Sequence, residues 1–209
     1  MPMYTARTPY LVQAVFKQLV WNIPSKNNTV YLTFDDGPTP HVTPWVLETL
    51  KEYKAKCTFF CVGENVEQYP EIYQEILNQG HTVGNHTHHH LNGWKTNTRR
   101  YLLDIKKCSN LINSRLFRPP YGRLRKVHYK EIKNQYSVVM WDVLSGDFDK
   151  RISNEKCLKN VVTKVKSGSV VVFHDSLKAE NKLRFVLPKV LTELSARGFG
   201  FAAIPNNIS

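Results

Sequence analysis

Val30-Tyr31-Leu32-Thr33-Phe34 is an unbroken run of apolar, aromatic and β-branched residues, and it predicts a buried strand. Beyond it the hydrophobic pattern alternates between helical and extended stretches. Thr43-Pro44 predicts a helix start, an N-cap threonine before a proline at the first helical position, with Val46, Leu47 and Leu50 on one face. A strand is expected over 57–62. Pro70 opens a helix carrying Ile72, Ile76 and Leu77, and Gly80 ends it. A short strand is expected over 81–85, then a helix over 97–112 with Tyr101, Leu102, Ile105 and Leu111 toward the core. Leu116 and Phe117 form a brief strand, followed by a helix over 126–135 and a strand over 138–141. A helix over 155–166, a very apolar strand over 169–173, a helix over 183–197 closed by Gly198, and a strand over 199–204 complete the chain. Roughly seven strands alternate with helices, which predicts a parallel sheet with helices outside, open or closed into a barrel.

The first 28 residues follow a different pattern. Leu11, Val12, Val15, Phe16, Leu19 and Val20 fall on one face at helical spacing. Gln13, Lys17 and Gln18 interrupt the run, which is too short to span a membrane, and no small-residue cleavage site follows. Residues 1–28 are therefore expected to form an amphipathic helical extension to one domain over 29–209. Docking of that helix on the domain's own apolar surface is the first reading. Peripheral contact of residues 9–21 with a membrane is the second. With no export signal or spanning helix in view, the expected compartment is cytoplasmic or membrane-peripheral, and a monomer is expected.

Hydrophobic content of 42% and charged content of 22% are those of a globular chain, and 209 residues suffice for one sizeable core. The formal charge of +12 favours anionic partners. Part of it is local, in Arg99, Arg100, Lys106 and Lys107 and in Arg123, Arg125, Lys126, Lys130 and Lys133. No nucleic-acid motif accompanies these cations, so they read as a solvated basic face and no nucleic-acid partner is expected. Cys57, Cys61, Cys108 and Cys157 show no paired spacing and read as small core residues in a reducing compartment.

The chemistry-bearing residues follow the strands. Asp35 and Asp36 end the first strand, and Gly37-Pro38 turns the chain. Adjacent side chains at a strand end point in different directions, so the two carboxylates need not share a job. Two unpartnered buried carboxylates would repel, and a bound cation on one of them removes the conflict. Gly84-Asn85-His86-Thr87-His88-His89-His90 holds four of the eight histidines. His86 and His90, four residues apart, would share one side of a helical turn. Two imidazoles and a carboxylate form a usual catalytic zinc set with a fourth position left for water, and Asp36 is the natural third ligand. Arg118 to Tyr121, Asp147 and His174-Asp175 also follow strands. In parallel α/β folds the chemistry sits at those C-terminal strand ends.

Thr33-Phe34-Asp35-Asp36-Gly37, His86-Thr87-x-x-His90, Arg118-Pro119-Pro120-Tyr121 and Val172-Phe173-His174-Asp175, taken in order, resemble successive motifs of the polysaccharide deacetylases, carbohydrate esterase family 4 with its NodB-homology domain. The resemblance runs from about Val30 to Ile204. It implies a deformed (β/α)7 barrel and a metal-dependent hydrolase that removes acetyl groups from N-acetylated sugars, of N-acetylglucosamine type as in peptidoglycan or chitin-like oligomers. An O-acetyl esterase, a small-amide deacylase and a catalytically silent glycan-binding protein are the alternatives. Residue by residue, it implies Asp35 as general base, Asp36, His86 and His90 as ligands of one divalent ion (zinc first; cobalt, nickel or manganese as alternatives), and Arg118 as the arginine orienting the base. It further implies Tyr121 as the residue whose backbone N–H faces the oxyanion, His174 as general acid, and Asp147 as the aspartate tuning it. The fourth motif departs from the family pattern, with Leu144 in place of its first aspartate and Phe148 in place of its tryptophan, and Val172 stands where leucine is common. These departures are expected along the wall of the acetyl and sugar pocket.

Overall fold

The computed structural model describes residues 5–208. β1 (Thr29–Asp35) is buried along all but its first residue. β2 (Thr58–Cys61), β3 (Thr82–Asn85), β4 (Leu116–Phe117) and β5 (Ser137–Val138) extend the sheet on one side of it. β7 (Val170–His174) and then β6 (Val143–Leu144) extend it on the other. The order is β5-β4-β3-β2-β1-β7-β6, every pairing is parallel, and β8 (Gly200–Phe201) adds to the start of β1. This is a deformed (β/α)7 barrel, curled and incompletely closed. The central strands are apolar on both faces because both are covered. Phe34 stacks on Phe59 and Phe173, with ring centroids 5.1 and 5.9 Å away, and fixes the middle of the core.

The outer helices are α2 (Val42–Glu52), α3 (Gly63–Gln68), α4 (Pro70–Asn78), α5 (Thr98–Ser109), α6 (Lys126–Ile132), α7 (Asn154–Val162) and α8 (Glu180–Ala196), after α1 (Tyr10–Val15) near the start of the chain. Asn97 caps α5 by accepting from the Arg100 N–H, and Ser153 caps α7 by accepting from that of Lys156. One expectation at a helix start changes. Thr43 is not the cap of α2 but lies inside its first turn, and its hydroxyl is engaged elsewhere. Between β2 and α4 the chain forms α3, which has no strong apolar period. The strand expected over 138–141 splits into β5 and β6. Its middle carbonyls, those of Val139 and Met140, are taken by the Arg118 guanidinium at 3.1 and 2.9 Å.

The gap between β5 and β6 is spanned by the beginning of the chain. Leu144 N–H donates to Ala6, Thr8 N–H donates to Asp142, and Val20 exchanges backbone bonds with Val138 and Met140. This pairing limits α1 to six residues, because Val20 and the buried Trp21 are drawn into the sheet. The docked amphipathic helix is therefore not what forms. Tyr10, Leu11, Val15 and Phe16 face solvent, and α1 has no buried residue. No helix among the described residues is long and apolar enough to cross a membrane. All four cysteines are free and buried.

Candidate active site

The parallel register brings the sequence-predicted residues to one end of the sheet. Asp35 and His174 are direct register partners at the ends of β1 and β7. Asp35 is buried, and its Oδ1 accepts from Arg118 Nη1 at 2.6 Å. Arg118 is fully buried directly after β4. The same Nη1 donates to Thr33 Oγ1 at 2.7 Å, and its guanidinium carbon lies 4.1 Å over the Phe60 ring. Four of its five N–H groups are thus engaged, and the arginine fixes one carboxylate oxygen of Asp35 while leaving Oδ2 to other partners.

His174 has a matching anchor. Its Nδ1 is 2.8 Å from Asp147 Oδ1, and its backbone N–H donates to Asp147 Oδ2 at 2.7 Å. Burial alone would push the ring below the ordinary histidine value. The Asp147 charge and hydrogen bond, with Asp36 and Asp35 farther off, overcome it and raise the ring to about 10. The ring is therefore a cation at neutral pH, with Nε2 left to present a proton. Phe148 packs edge-on against it at 5.1 Å. Leu144 and Val172 are register partners inside the sheet, and both are buried.

Asp36, His86 and His90 converge, each offering a ligand atom within 4.8 Å of the others. His90 Nε2 lies 3.2 Å and His86 Nε2 3.8 Å from Asp36 Oδ1. Burial opposes ionisation of Asp36, but the His90 hydrogen bond and the His174 and His86 rings hold its carboxyl well below the usual range. His86 is buried, which lowers its pKa to about 4 against the pull of Asp35 and keeps it neutral. Its Nδ1 is 2.7 Å from the Arg118 carbonyl. A carbonyl only accepts, so Nδ1 carries the proton and the Nε2 lone pair faces Asp36. Two acceptors pointed at each other across 3.8 Å, with a third donor atom beside them, fit a divalent cation.

The residues between the two histidines do not form the expected helical turn. Thr87 and His90 adopt φ of 63° and 52°, and the rings of His86 and His90 still meet at 5.1 Å. Asp104 makes this path, and sequence reasoning missed it. Buried on the inner face of α5, it accepts from the backbone N–H groups of both His88 and His89, at 2.9 and 3.0 Å. Its other oxygen takes the His89 ring, while His88 turns to Glu67 at 3.4 Å. The available signal was an acid at the centre of an apolar helix stripe. Asp175 is a second unassigned anchor. It accepts from Gly37 N–H at 3.1 Å and from Thr43 Oγ1 at 2.5 Å, which ties down the turn carrying Asp36. Tyr121 is exposed, has φ of 60°, and lays its ring 4.6 Å from that of His90.

A family model for polysaccharide deacetylases matches residues 22–139. A peptidoglycan-N-acetylglucosamine deacetylase of Bacillus cereus is 33% identical over 89% of this chain and 91% of its own length. The chain belongs to the polysaccharide deacetylase family. A chitooligosaccharide deacetylase of Azorhizobium caulinodans is 30% identical over 88% of this chain and 96% of its own. Among solved structures, a peptidoglycan N-acetylglucosamine deacetylase in complex with 4-naphthalen-1-yl-N-oxidanyl-benzamide superposes with a TM-score of 0.86, 32% identity and 95% of each chain. The fold also serves a Bacillus anthracis protein described as a pseudoenzyme of carbohydrate esterase family 4, at 26% identity and a TM-score of 0.75 over 88% of this chain and 66% of that one.

Proposed function

We propose that this chain is a metal-dependent hydrolase that removes acetyl groups from N-acetylglucosamine-type sugars of a peptidoglycan-like or chitin-like polymer. The observation carrying the reading is the register pairing of an Arg118-held carboxylate, Asp35, with an Asp147-held imidazolium, His174, beside the Asp36, His86 and His90 cluster. Asp36, His86 and His90 would hold one divalent ion, zinc first. When bound, the ion lowers the pKa of water and polarises the acetyl carbonyl. Asp35 accepts the proton of the attacking water on Oδ2, since Arg118 occupies Oδ1. His174 donates from Nε2 to the departing amine, and Asp147 on Nδ1 fixes its tautomer and stabilises its charge. The Tyr121 backbone N–H is assigned to the developing oxyanion. The catalytic unit is taken as residues 29–209, with 1–28 as an extension. The uncovered side chains of α1 favour the membrane-surface reading of residues 9–21.

The pseudoenzyme neighbour gives weight to one second reading, a silent glycan-binding protein. Acetate release from N-acetylglucosamine oligomers and from peptidoglycan by metal-replete protein separates the two. Release that disappears in Asp35→Asn is the expected result. Glycan binding without acetate release from folded, metal-replete protein overturns the enzyme reading.

A further inference from the structure

Two loops leave the site side by side, residues 91–97 after His90 and residues 121–125 after Tyr121. They are held in contact at Gly93, which is buried. A Cβ there would lie 2.2 Å from the Arg123 carbonyl oxygen and 3.1 Å from the Tyr101 ring. Asn92 orders the first loop. Its side chain accepts from Trp94 N–H at 2.9 Å, and its carbonyl accepts from Lys95 and Thr96 at 3.0 Å each. Arg125 ties the same loop to the second through the Thr96 carbonyl at 2.5 Å. The side chain this scaffold presents is Trp94, 57% exposed, with the Arg123 guanidinium 3.9 Å over its ring.

A loop pinned at Gly93 and tied through Asn92 and Thr96, yet displaying an indole to water, needs an explanation. Arg123 needs one too. Arg118 is paired with Asp35 and Arg184 with Glu180, whereas Arg123 has no carboxylate partner among the described residues. A guanidinium stacked on an indole keeps its N–H edges free for a planar anion. The pair also lies near the reacting centre. Tyr121, two residues before Arg123, packs on His90, and two residues of chain span at most about 7 Å.

We propose that Trp94 and Arg123 form a subsite for a carboxylate-bearing sugar next to the sugar that is deacetylated, with the indole receiving the sugar face and the guanidinium its carboxylate. The inference rests on the deacetylase reading and narrows it to an anionic aminosugar polymer, one with muramic-type units rather than neutral chitin. The excess of +12 draws such a polymer toward the protein over longer range.

The test compares two soluble tetrasaccharides, neutral tetra-N-acetylglucosamine and an alternating N-acetylglucosamine–N-acetylmuramic acid oligomer with free lactyl carboxylates. Wild-type protein should have the lower KM for the anionic oligomer. Arg123→Gln should cut that selectivity about tenfold through KM, the size of one charge-assisted hydrogen bond. Arg123→Lys should recover part of it, and Trp94→Ala should weaken both substrates. Equal losses on both oligomers in Arg123→Gln would show that the cation merely glues two loops together, and would overturn the subsite. So would an unchanged selectivity, or a Trp94→Ala variant that binds both normally. If neither oligomer releases acetate, the deacetylase reading has failed instead, and the same selectivity is read from calorimetric affinities.

Discussion

Replacing Asp147 with asparagine keeps the size of the side chain and removes its charge, and His174 reports the result. In the native site the ring stands at about 10 against an ordinary 6.5, although burial pushes it the other way. At 1.36 kcal/mol per pKa unit, that rise is worth about 5 kcal/mol in favour of the charged ring. Without Asp147, burial is opposed only by the more distant Asp36 and Asp35, so the ring should fall to 6.5 or below. The sign for stability follows. A folded pKa above the unfolded one stabilises fully below pH 6.5, and the gain is lost as pH rises through about 10. Wild-type stability should therefore decline across that window, and Asp147→Asn should flatten the decline.

Asparagine carries a second, pH-independent penalty. Asp147 accepts from the His174 ring, from its backbone N–H and from the Phe148 N–H, across two oxygens where an amide has one. At least one donor is orphaned, which costs about 1–3 kcal/mol at every pH. Imidazole NMR titration of metal-free protein and urea unfolding at several pH values separate the two effects. In the enzyme, the basic limb of the rate profile should move to lower pH. A variant ring that still titrates above pH 8, or an unfolding free energy that declines with pH as in wild type, would refute the reasoning.

Other perturbations have readouts of their own. His86→Ala and His90→Ala should each abolish stoichiometric divalent metal measured by elemental analysis, whereas His88→Ala and His89→Ala should retain it, because those rings face Glu67 and Asp104. Asp104→Ala should weaken metal affinity about 10–100-fold without removing a ligand, by releasing the backbone between His86 and His90. Leu11→Ser with Val15→Ser should leave the melting temperature unchanged, since both side chains are exposed, and should lower sedimentation with anionic vesicles; equal sedimentation would end the membrane reading.

The scaffold was legible because its strands are apolar on both faces and its helices carry one apolar stripe. Val30 to Phe34, Pro70 to Ile76 and the apolar stripe over 97–112 are set by local pattern, and β1, α4 and α5 form there. The elements that escaped depend on distant partners. β5 and β6 separate because a guanidinium from β4's end takes the carbonyls between them. The helix near the chain start stops at Val15 because residues farther on pair with Val138 and Met140. Neither cause leaves a periodic trace in the segment it changes. The site divides the same way. Residue types and order announced Asp35, Asp36, His86, His90, Arg118 and His174, and placed Asp175 in the last motif without a role, while Asp104 is a lone acid on a helix whose partners lie in another segment.

Asp104 and Asp175 explain how the site holds a shape its own segments would not choose. Asp36, Thr87, His90 and Tyr121 all have positive φ without being glycine, a strain on the order of 1–3 kcal/mol each. Local sequence does not prefer such turns, so something outside each turn must fix it. Asp175 fixes the first through Gly37 and Thr43, and Asp104 fixes the histidine loop through two N–H groups. Asn85 assists by accepting from Thr87 N–H at 2.9 Å. Burying these carboxylates is unfavourable on its own account, and burial together with nearby Asp36 raises Asp175 to about 8 even with its donors in place. The fold therefore accepts both backbone strain and buried acids at one end of its sheet. What it obtains is a neutral His86 and a carboxylate Asp36 aimed at a common point, beside an Asp35 and a His174 each locked by its own partner. Relaxing either anchor should loosen that point before it unfolds the barrel, because the strands beneath are held by Phe34, Phe59 and Phe173 rather than by the acids.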